Sequence, residues 1–131
     1  MDLFSEFATD TKAEVDGVKV PYKGITFLIA RAGNRKYGKV LSEAVKQNQI
    51  KLDMKDDAAD DLSDKLMAEV LAKTILLGWE GDVMYKGEAL AYSLENAKKV
   101  LTHGDFRAFI TKLADDRESF RAAQIEEKVG N

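Results

Sequence analysis

The segment from Gly33 to Val40 matches the spacing of a phosphate-binding loop. It reads Gly-Asn-Arg-Lys-Tyr-Gly-Lys-Val and follows an apolar strand, which is the G-x-x-x-x-G-K pattern of loops that hold nucleotide phosphates. Val40 stands where such loops carry the Ser or Thr that binds Mg²⁺, and bulky residues 35–37 replace small ones. We therefore interpret the segment as a turn from strand to helix, with Asn34 capping the helix and Tyr37 in the core. A degenerate nucleotide-binding protein is the alternative from the enzyme class.

Six aspartates lie close together and suggest a Ca²⁺ site. They are Asp53, Asp56, Asp57, Asp60, Asp61 and Asp64. An EF-hand loop beginning at Asp53 would place Lys55 at its third position and Ala58 where Gly must form the turn, so the register does not fit. We interpret residues 56–61 as a solvated linker. Asp61 then caps the following helix, where acidic side chains interact favourably with the positive end of the helix dipole.

Acid–base catalysis would require paired carboxylates or a histidine, and the sequence offers few candidates. Asp115, Asp116 and Glu118 are neighbours, but acids on an exposed helix face are common and nothing predicts their burial. His103 is the only histidine, and we interpret it as a residue in the last turn of a helix. We predict that the protein is not an enzyme and has no catalytic residue, cofactor or metal.

One stretch of the chain is basic and suggests nucleic-acid binding. Its residues are Arg31, Arg35, Lys36, Lys39 and Lys46. Tyr37 lies among them and can stack on a base, which makes a nucleic-acid binder a further alternative. The formal net charge of -3 and the pI of about 5.2 disfavour that class. We interpret the stretch as a charged helix face and expect no nucleic-acid partner.

Trp79 lies in a Gly-Trp-Glu-Gly segment, close in sequence to Met84 and Tyr85. Aromatic and Met side chains in a loop are typical of the anchors of protein interfaces. The alternative is that the loop folds back and Trp79 closes the core. The sequence leaves both possibilities open, and Trp79, Met84 and Tyr85 are the candidate partner-binding residues.

The composition indicates a soluble, folded chain. Hydrophobic residues make up 45% of the 131 residues, more than a disordered chain carries, and the absence of Cys excludes a disulfide scaffold. The longest apolar stretch, Ile25–Ala30, is too short to span a bilayer. The acidic start, Met1–Glu6, is unlike a signal peptide. We expect one domain over residues 1–131, located in the cytoplasm and without a membrane partner.

The N-terminal third has the pattern of a small antiparallel β element within residues 1–32. Asp16-Gly17 lies between alternating apolar residues and predicts a hairpin turn of type I′. Pro21 cannot donate a hydrogen bond to a sheet, so it is expected at a strand end or on an edge strand. Tyr22–Gly24 predicts a second turn, and Ile25–Ala30 predicts a third strand that is covered on both faces.

Residues 33–131 are predicted to form about four helices, because apolar residues recur at helical spacing. The expected capping residues are Asn34, Asp61, Ser93 and Asp105. Gly78 is expected to end the second helix, and residues 79–87 to form a loop, whereas residues 50–54 fit either a helix end or an extended piece. The fourth helix is expected to reach about Lys128, as one helix or two. Because strands precede helices without alternating, the fold class is α+β, mainly α.

Five segments carry a resemblance to a known family through their order and spacing. They are Gly17–Tyr22, Ala32–Tyr37, Gly78–Gly81, Tyr92–Ala97 and the stretch between Asp105 and Phe120. Together these segments resemble the tail assembly chaperones of long-tailed bacteriophages of the siphophage type, and most of all those of HK-type lambdoid phages. The resemblance covers residues 15–120.

The resemblance implies a non-enzymatic role in the cytoplasm of the host bacterium. Such chaperones bind the long, helix-rich tape measure protein before the tail tube polymerises, and they are absent from the mature virion. Many exist also in a longer form, made by ribosomal frameshifting, that recruits the tail tube protein; this chain would be the short form.

A further expectation concerns the self-association of the chain. Because coating such a client takes many copies, we expect a homo-oligomer that associates weakly, in a head-to-tail manner. A structural tail or neck protein that is retained in the virion is the alternative function.

Overall fold

A computed structural model describes residues 1–122 of the chain. Its α-helices are α1 (Leu3–Phe7), α2 (Thr11–Asp16), α3 (Arg35–Gln47), α4 (Gln49–Asp53), α5 (Asp57–Thr74), α6 (Leu94–Leu101) and α7 (Gly104–Ala114). The strands are β1 (Val18–Tyr22), β2 (Ile25–Ile29), β3 (Leu76–Gly81), β4 (Met84–Tyr85) and β5 (Glu88–Ala89), and a 3₁₀-helix spans Arg117–Phe120. The predicted fold class, α+β and mainly α, is confirmed. The predicted end of the last helix near Lys128 lies outside the described residues.

The main sheet is antiparallel and has the strand order β1-β2-β3. Phe27 of the central strand lies opposite Val20 on one side and Trp79 on the other. Pro21 lies in the edge strand β1, as predicted, where its missing N–H disrupts no further pairing. The predicted second turn is also confirmed, because Lys23 and Gly24 connect β1 to β2 with positive φ angles.

The hairpin predicted at Asp16-Gly17 is wrong. Residues 11–16 form helix α2, and Gly17 lies at its C-terminal end. The side chain of Asp10 accepts hydrogen bonds from the backbone N–H groups of Lys12 and Ala13, both at 3.0 Å. This N-terminal cap stabilises a helical turn that the alternation of apolar residues did not reveal.

The loop predicted over residues 79–87 is wrong, because Leu76–Gly81 forms strand β3 and Met84–Tyr85 forms strand β4. Helix α5 ends at Thr74, before the predicted stop at Gly78. A short apolar run such as residues 75–77 fits a buried strand as well as a helix, so pairing with β2 decides between them. The third strand of the sheet therefore comes from a part of the chain that was predicted to lack strands.

The acidic linker predicted over residues 56–61 is also wrong, since α5 begins at Asp57. The side chain of Asp56 accepts a hydrogen bond from the N–H of Ala59 at 2.8 Å, so Asp56, not Asp61, caps the helix. The acids of the first turn, Asp57 and Asp60, lie at the positive end of the helix dipole.

Two of the other predicted caps are confirmed and one is wrong. Asn34 accepts a hydrogen bond from the N–H of Tyr37 at 3.0 Å, and Ser93 accepts one from the N–H of Asn96 at 3.0 Å. Helix α7 begins at Gly104 with His103 in the capping position, so the predicted cap Asp105 lies within the first turn. The undecided residues 50–54 are mostly helical, within α4.

Helix α5 packs against α3, α4, α6 and strand β3, and α7 packs against β2. The core therefore lies between the sheet and these helices. Its buried residues include Phe27, Ile29, Leu71, Ile75, Leu76, Trp79, Leu101 and Ile110. Ala68, Ala72 and Ala97 are also buried, and their small side chains allow α5 and α6 to approach each other closely.

The N-terminal segment is attached to the end of the described chain. The N–H of Ala122 donates to the carbonyl of Ala8 at 2.9 Å, and the N–H of Asp10 donates to the carbonyl of Phe120 at 2.9 Å. Phe120 itself is fully buried. These contacts fix the point from which helix α1 extends.

Gly81, at the end of β3, is predicted to tolerate no side chain. Its φ is +104°, and a Cβ atom would lie 2.5 Å from the carbonyl oxygen of Gly24. Gly87 is a matched control, because its φ of +83° is similar but its surroundings are open. We expect Gly81→Ala to lower the free energy of unfolding by about 3 kcal/mol and Gly87→Ala by about 1 kcal/mol in urea titrations. Equal losses would contradict the close approach of β3 to the β1–β2 turn.

Candidate functional site

Strands β4 and β5 form a two-stranded ribbon that covers an apolar cavity of about 260 Å³. We call this cavity the ribbon pocket. Its lining comes from β2, β3, the ribbon and its flanks, α6 and α7. The lining residues are Ile25, Phe27, Trp79, Val83, Met84, Tyr85, Leu90, Val100, His103 and Phe106. The three candidate residues from the sequence, Trp79, Met84 and Tyr85, are thus brought together at one cavity.

Hydrogen bonds at both ends hold the ribbon over the cavity. The indole N–H of Trp79 donates to the carbonyl of Leu90 at 2.9 Å, and the N–H of Leu90 donates to the carbonyl of Val83 at 2.9 Å. At the other end, the hydroxyl of Tyr85 and Nε2 of His103 are 2.8 Å apart. The ribbon is therefore connected both to β3 and to the turn between α6 and α7.

Trp79 closes the core and also lines the ribbon pocket. Only 9% of its surface is exposed, and its ring lies edge-on to that of Tyr92 at a centroid distance of 4.9 Å. Of the two possibilities that the sequence left open, the structure therefore shows a core residue. Because the indole N–H is already hydrogen-bonded, only the apolar part of Trp79 is available to a ligand in the cavity.

Beside the ribbon pocket lie an exposed apolar side chain and two lysines that contact the Tyr85 ring. Met84 is 56% exposed. The ammonium groups of Lys99 and Lys86 lie 4.9 and 5.6 Å from the centroid of the Tyr85 ring. A ligand in this cavity would meet the thioether of Met84 and the ring of Tyr85, beside which the two cations lie.

The segment Gly33–Val40 forms the predicted turn from strand to helix. Asn34 is buried; besides capping α3, its side-chain amide donates to the carbonyls of Arg31 at 2.8 Å and Thr74 at 3.4 Å. The basic side chains Arg35, Lys36 and Lys39 are exposed, and with Lys12 they border an open polar groove. The cap bond to Asn34 already uses the N–H of Tyr37.

The other titratable candidates from the sequence are Asp115, Asp116, Glu118 and His103. The carboxylate of Asp116 accepts a hydrogen bond from the N–H of Glu118, which itself forms an ion pair with Arg121 at 2.8 Å. His103 contacts Tyr85 and no carboxylate partner is seen within residues 1–122. In the same part of the chain, no group of three or more His, Asp or Glu side chains is placed to hold a metal ion. None of its helices has both the length and the apolar composition needed to cross a bilayer.

A second, larger cavity lies between α5 and α7, and it was not predicted from the sequence. This α5–α7 groove has a volume of about 700 Å³. Its apolar lining comprises Ala32, Tyr37, Met67, Leu71, Ile75, Ala108 and Ala114, and its charged residues are Arg107, Lys112 and Asp115. The only local signal was the small side chains of α7, which leave space beside α5.

A family model described as YdaY prophage protein matches residues 32–131. The chain belongs to the YdaY prophage protein family. It is therefore a phage-derived protein, which agrees with the phage origin that the five resembling segments implied. The matched range contains the ribbon and the whole lining of the ribbon pocket except Ile25 and Phe27. No match to the chain was found among curated proteins or among solved structures.

Tyr92 connects the end of the ribbon to the sheet. Its hydroxyl also makes the free energy of unfolding depend on pH in the alkaline range. Its hydroxyl donates to the carbonyl of Leu76 at 2.9 Å, and burial raises the pKa of the hydroxyl above its ordinary value of 10.0. At high pH the unfolded chain loses this proton before the folded chain does. The stabilising contribution of neutral Tyr92 is therefore present below pH 10 and is lost as the pH rises towards the pKa of the folded state.

We expect Tyr92→Phe to lower the free energy of unfolding by about 1 kcal/mol near neutral pH, because the hydrogen bond is lost. Above about pH 10, the same variant should lose less stability than the wild type. Urea titrations at both pH values measure the difference, and Tyr22→Phe, which removes an exposed hydroxyl, is the control. A variant whose alkaline loss equals that of the wild type would contradict the burial of this hydroxyl.

Proposed function

We propose that the chain is a non-enzymatic tail assembly chaperone of a long-tailed phage, which binds the tape measure protein and assists assembly of the tail tube. The observation that carries the proposal is the ribbon pocket, an apolar cavity with exposed Met84 at its mouth. Membership of a prophage family supports the phage context. The five segments that resemble tail assembly chaperones support the specific role.

The size and chemistry of the ribbon pocket suit an apolar anchor on a helical client. A cavity of about 260 Å³ holds one or two large apolar side chains, and an amphipathic helix presents such anchors at i, i+3 and i+4. Met84 can adapt its shape to different anchors, which suits a client with many similar sites. Lys86 and Lys99, which lie beside the Tyr85 ring, favour clients in which acidic residues flank the anchor.

The proposed role determines where the chain acts and with which proteins. It would bind the tape measure protein in the cytoplasm of the host and leave before the virion is complete. A frameshift-extended form of the same chain would connect it to the tail tube protein. A structural tail or neck protein is the alternative, and mass spectrometry of purified particles distinguishes the two: a chaperone is absent, whereas a structural protein is present in stoichiometric amount.

The decisive experiment is co-expression of the tape measure protein with the wild type, Met84→Asp or Met54→Asp. Met54 is the matched control, because it is 67% exposed but lies outside the ribbon pocket. We expect the wild type and Met54→Asp to keep the client soluble and to co-purify with it. Met84→Asp should weaken binding by about tenfold or more, because a carboxylate at the mouth repels acidic residues and disfavours an apolar anchor.

Each outcome leads to a different conclusion. Equal binding by both variants would place the client outside the ribbon pocket while leaving the chaperone role intact. A client that stays insoluble and unbound with the wild type would contradict the chaperone role of this form of the chain.

A further inference from the structure

Helix α1 presents an apolar surface that the rest of the described chain leaves uncovered. Leu3, Phe4 and Phe7 are 65%, 54% and 52% exposed, and none of the five residues of the helix is buried. The one aromatic contact is that of Arg117 with the ring of Phe7, at 5.0 Å. Two exposed phenylalanines on a single helical turn are typical of a binding segment.

Hydrogen bonds before and after helix α1 stabilise its conformation. The side chain of Asp2 accepts hydrogen bonds from the N–H groups of Phe4 at 2.9 Å and Ser5 at 3.3 Å. The bond between Ala8 and Ala122 attaches the following residue to the folded chain. Binding through α1 would therefore cost less conformational entropy than binding through an unstructured segment.

The α5–α7 groove has the size and surface that α1 requires. Its volume of about 700 Å³ accommodates several side chains, whereas the ribbon pocket holds one or two. Ile75 and Ala114 are buried residues of its lining, and Met67 on α5 and the small Ala108 on α7 line it as well. An apolar groove between two helices is a recurrent docking site for a short helix.

The charges of helix and groove are complementary. Asp2 and Glu6 flank the apolar residues of α1, whereas Arg107 and Lys112 border the groove. Lys112 is exposed and forms no ion pair within residues 1–122, and Arg107 bonds to Asp64 at 3.2 Å. Asp115 is the one acid on the border, so it disfavours orientations of α1 that bring its acids to that end.

We propose that the α5–α7 groove of one copy receives helix α1 of a second copy. The two surfaces are different patches of the same chain, so the contact is heterologous and joins copies head to tail. The proposal is independent of the tape measure protein and of the ribbon pocket. It specifies the contact through which the expected homo-oligomer forms.

The test uses the full chain and two variants, Phe4→Asp in α1 and Ala108→Glu in the groove. Light scattering after size-exclusion chromatography measures the molar mass over a series of protein concentrations. We expect the mass of the wild type to rise with concentration and that of each variant to stay at one copy. Both substituted residues are exposed, so the circular dichroism spectra should match that of the wild type.

Mixing the two variants provides the decisive comparison. Phe4→Asp retains an intact groove and Ala108→Glu retains an intact α1, so an equal mixture should form pairs with the mass of two copies. Met54→Asp is the control and should associate like the wild type. A wild type that stays monomeric, including one whose α1 occupies its own groove, would overturn the proposal. So would a mixture that stays monomeric, or variants that associate like the wild type.

Discussion

The pairing of strand β3 with strand β2 is the constraint on which the rest of the structure depends. It places Trp79 beside Phe27, although these residues are far apart in sequence. Burial of two large aromatic side chains contributes several kcal/mol, which offsets the entropy lost in closing the long loop between the strands. The same pairing ends α5 at Thr74 and brings the ribbon over β2. The pairing of these two distant strands therefore brings together β2, β3 and the ribbon, which line the ribbon pocket.

Local interactions explain which parts of the fold could be predicted from the sequence. The caps at Asn34 and Ser93 depend on residues within the same helical turn, and both were predicted correctly. The sequence Tyr-Lys-Gly occurs at residues 22–24 and again at residues 85–87, and both copies form turns with positive φ at Lys and Gly. Only the first was predicted, because the two-residue strands around the second carry almost no alternation of their own.

The errors in prediction have two causes, namely helix caps and the pairing of distant strands. At Asp16-Gly17 the sequence favours a hairpin turn, but the cap that Asp10 provides stabilises helix α2 instead. At residues 75–77 the apolar run was compatible with both helix and strand, so the partner strand decided the outcome. The acids of residues 56–61 resembled a linker, yet the cap at Asp56 makes them part of α5. A side-chain cap determined the conformation in the first and third cases, and pairing with a strand distant in sequence determined it in the second.

The candidate site was predictable only in the part that lies close together in sequence. Trp79, Met84 and Tyr85 were identified from their types, and they do line one cavity. Ile25 and Phe106 line it as well, but nothing in their local sequence distinguishes them from ordinary core residues. The α5–α7 groove likewise results from the packing of two helices that are distant in sequence. Sites formed between elements therefore require the tertiary structure.

The four methionines of the chain test directly whether a client binds at the ribbon pocket. Met84 reports on the ribbon pocket, Met67 on the α5–α7 groove, Met1 on the segment before α1 and Met54 on an unrelated surface. The measurement is methyl NMR of ¹³C-methionine-labelled protein during titration with a soluble segment of the tape measure protein. We expect the Met84 signal to shift while the Met54 signal stays in place. A client that binds and leaves the Met84 signal unchanged would contradict it.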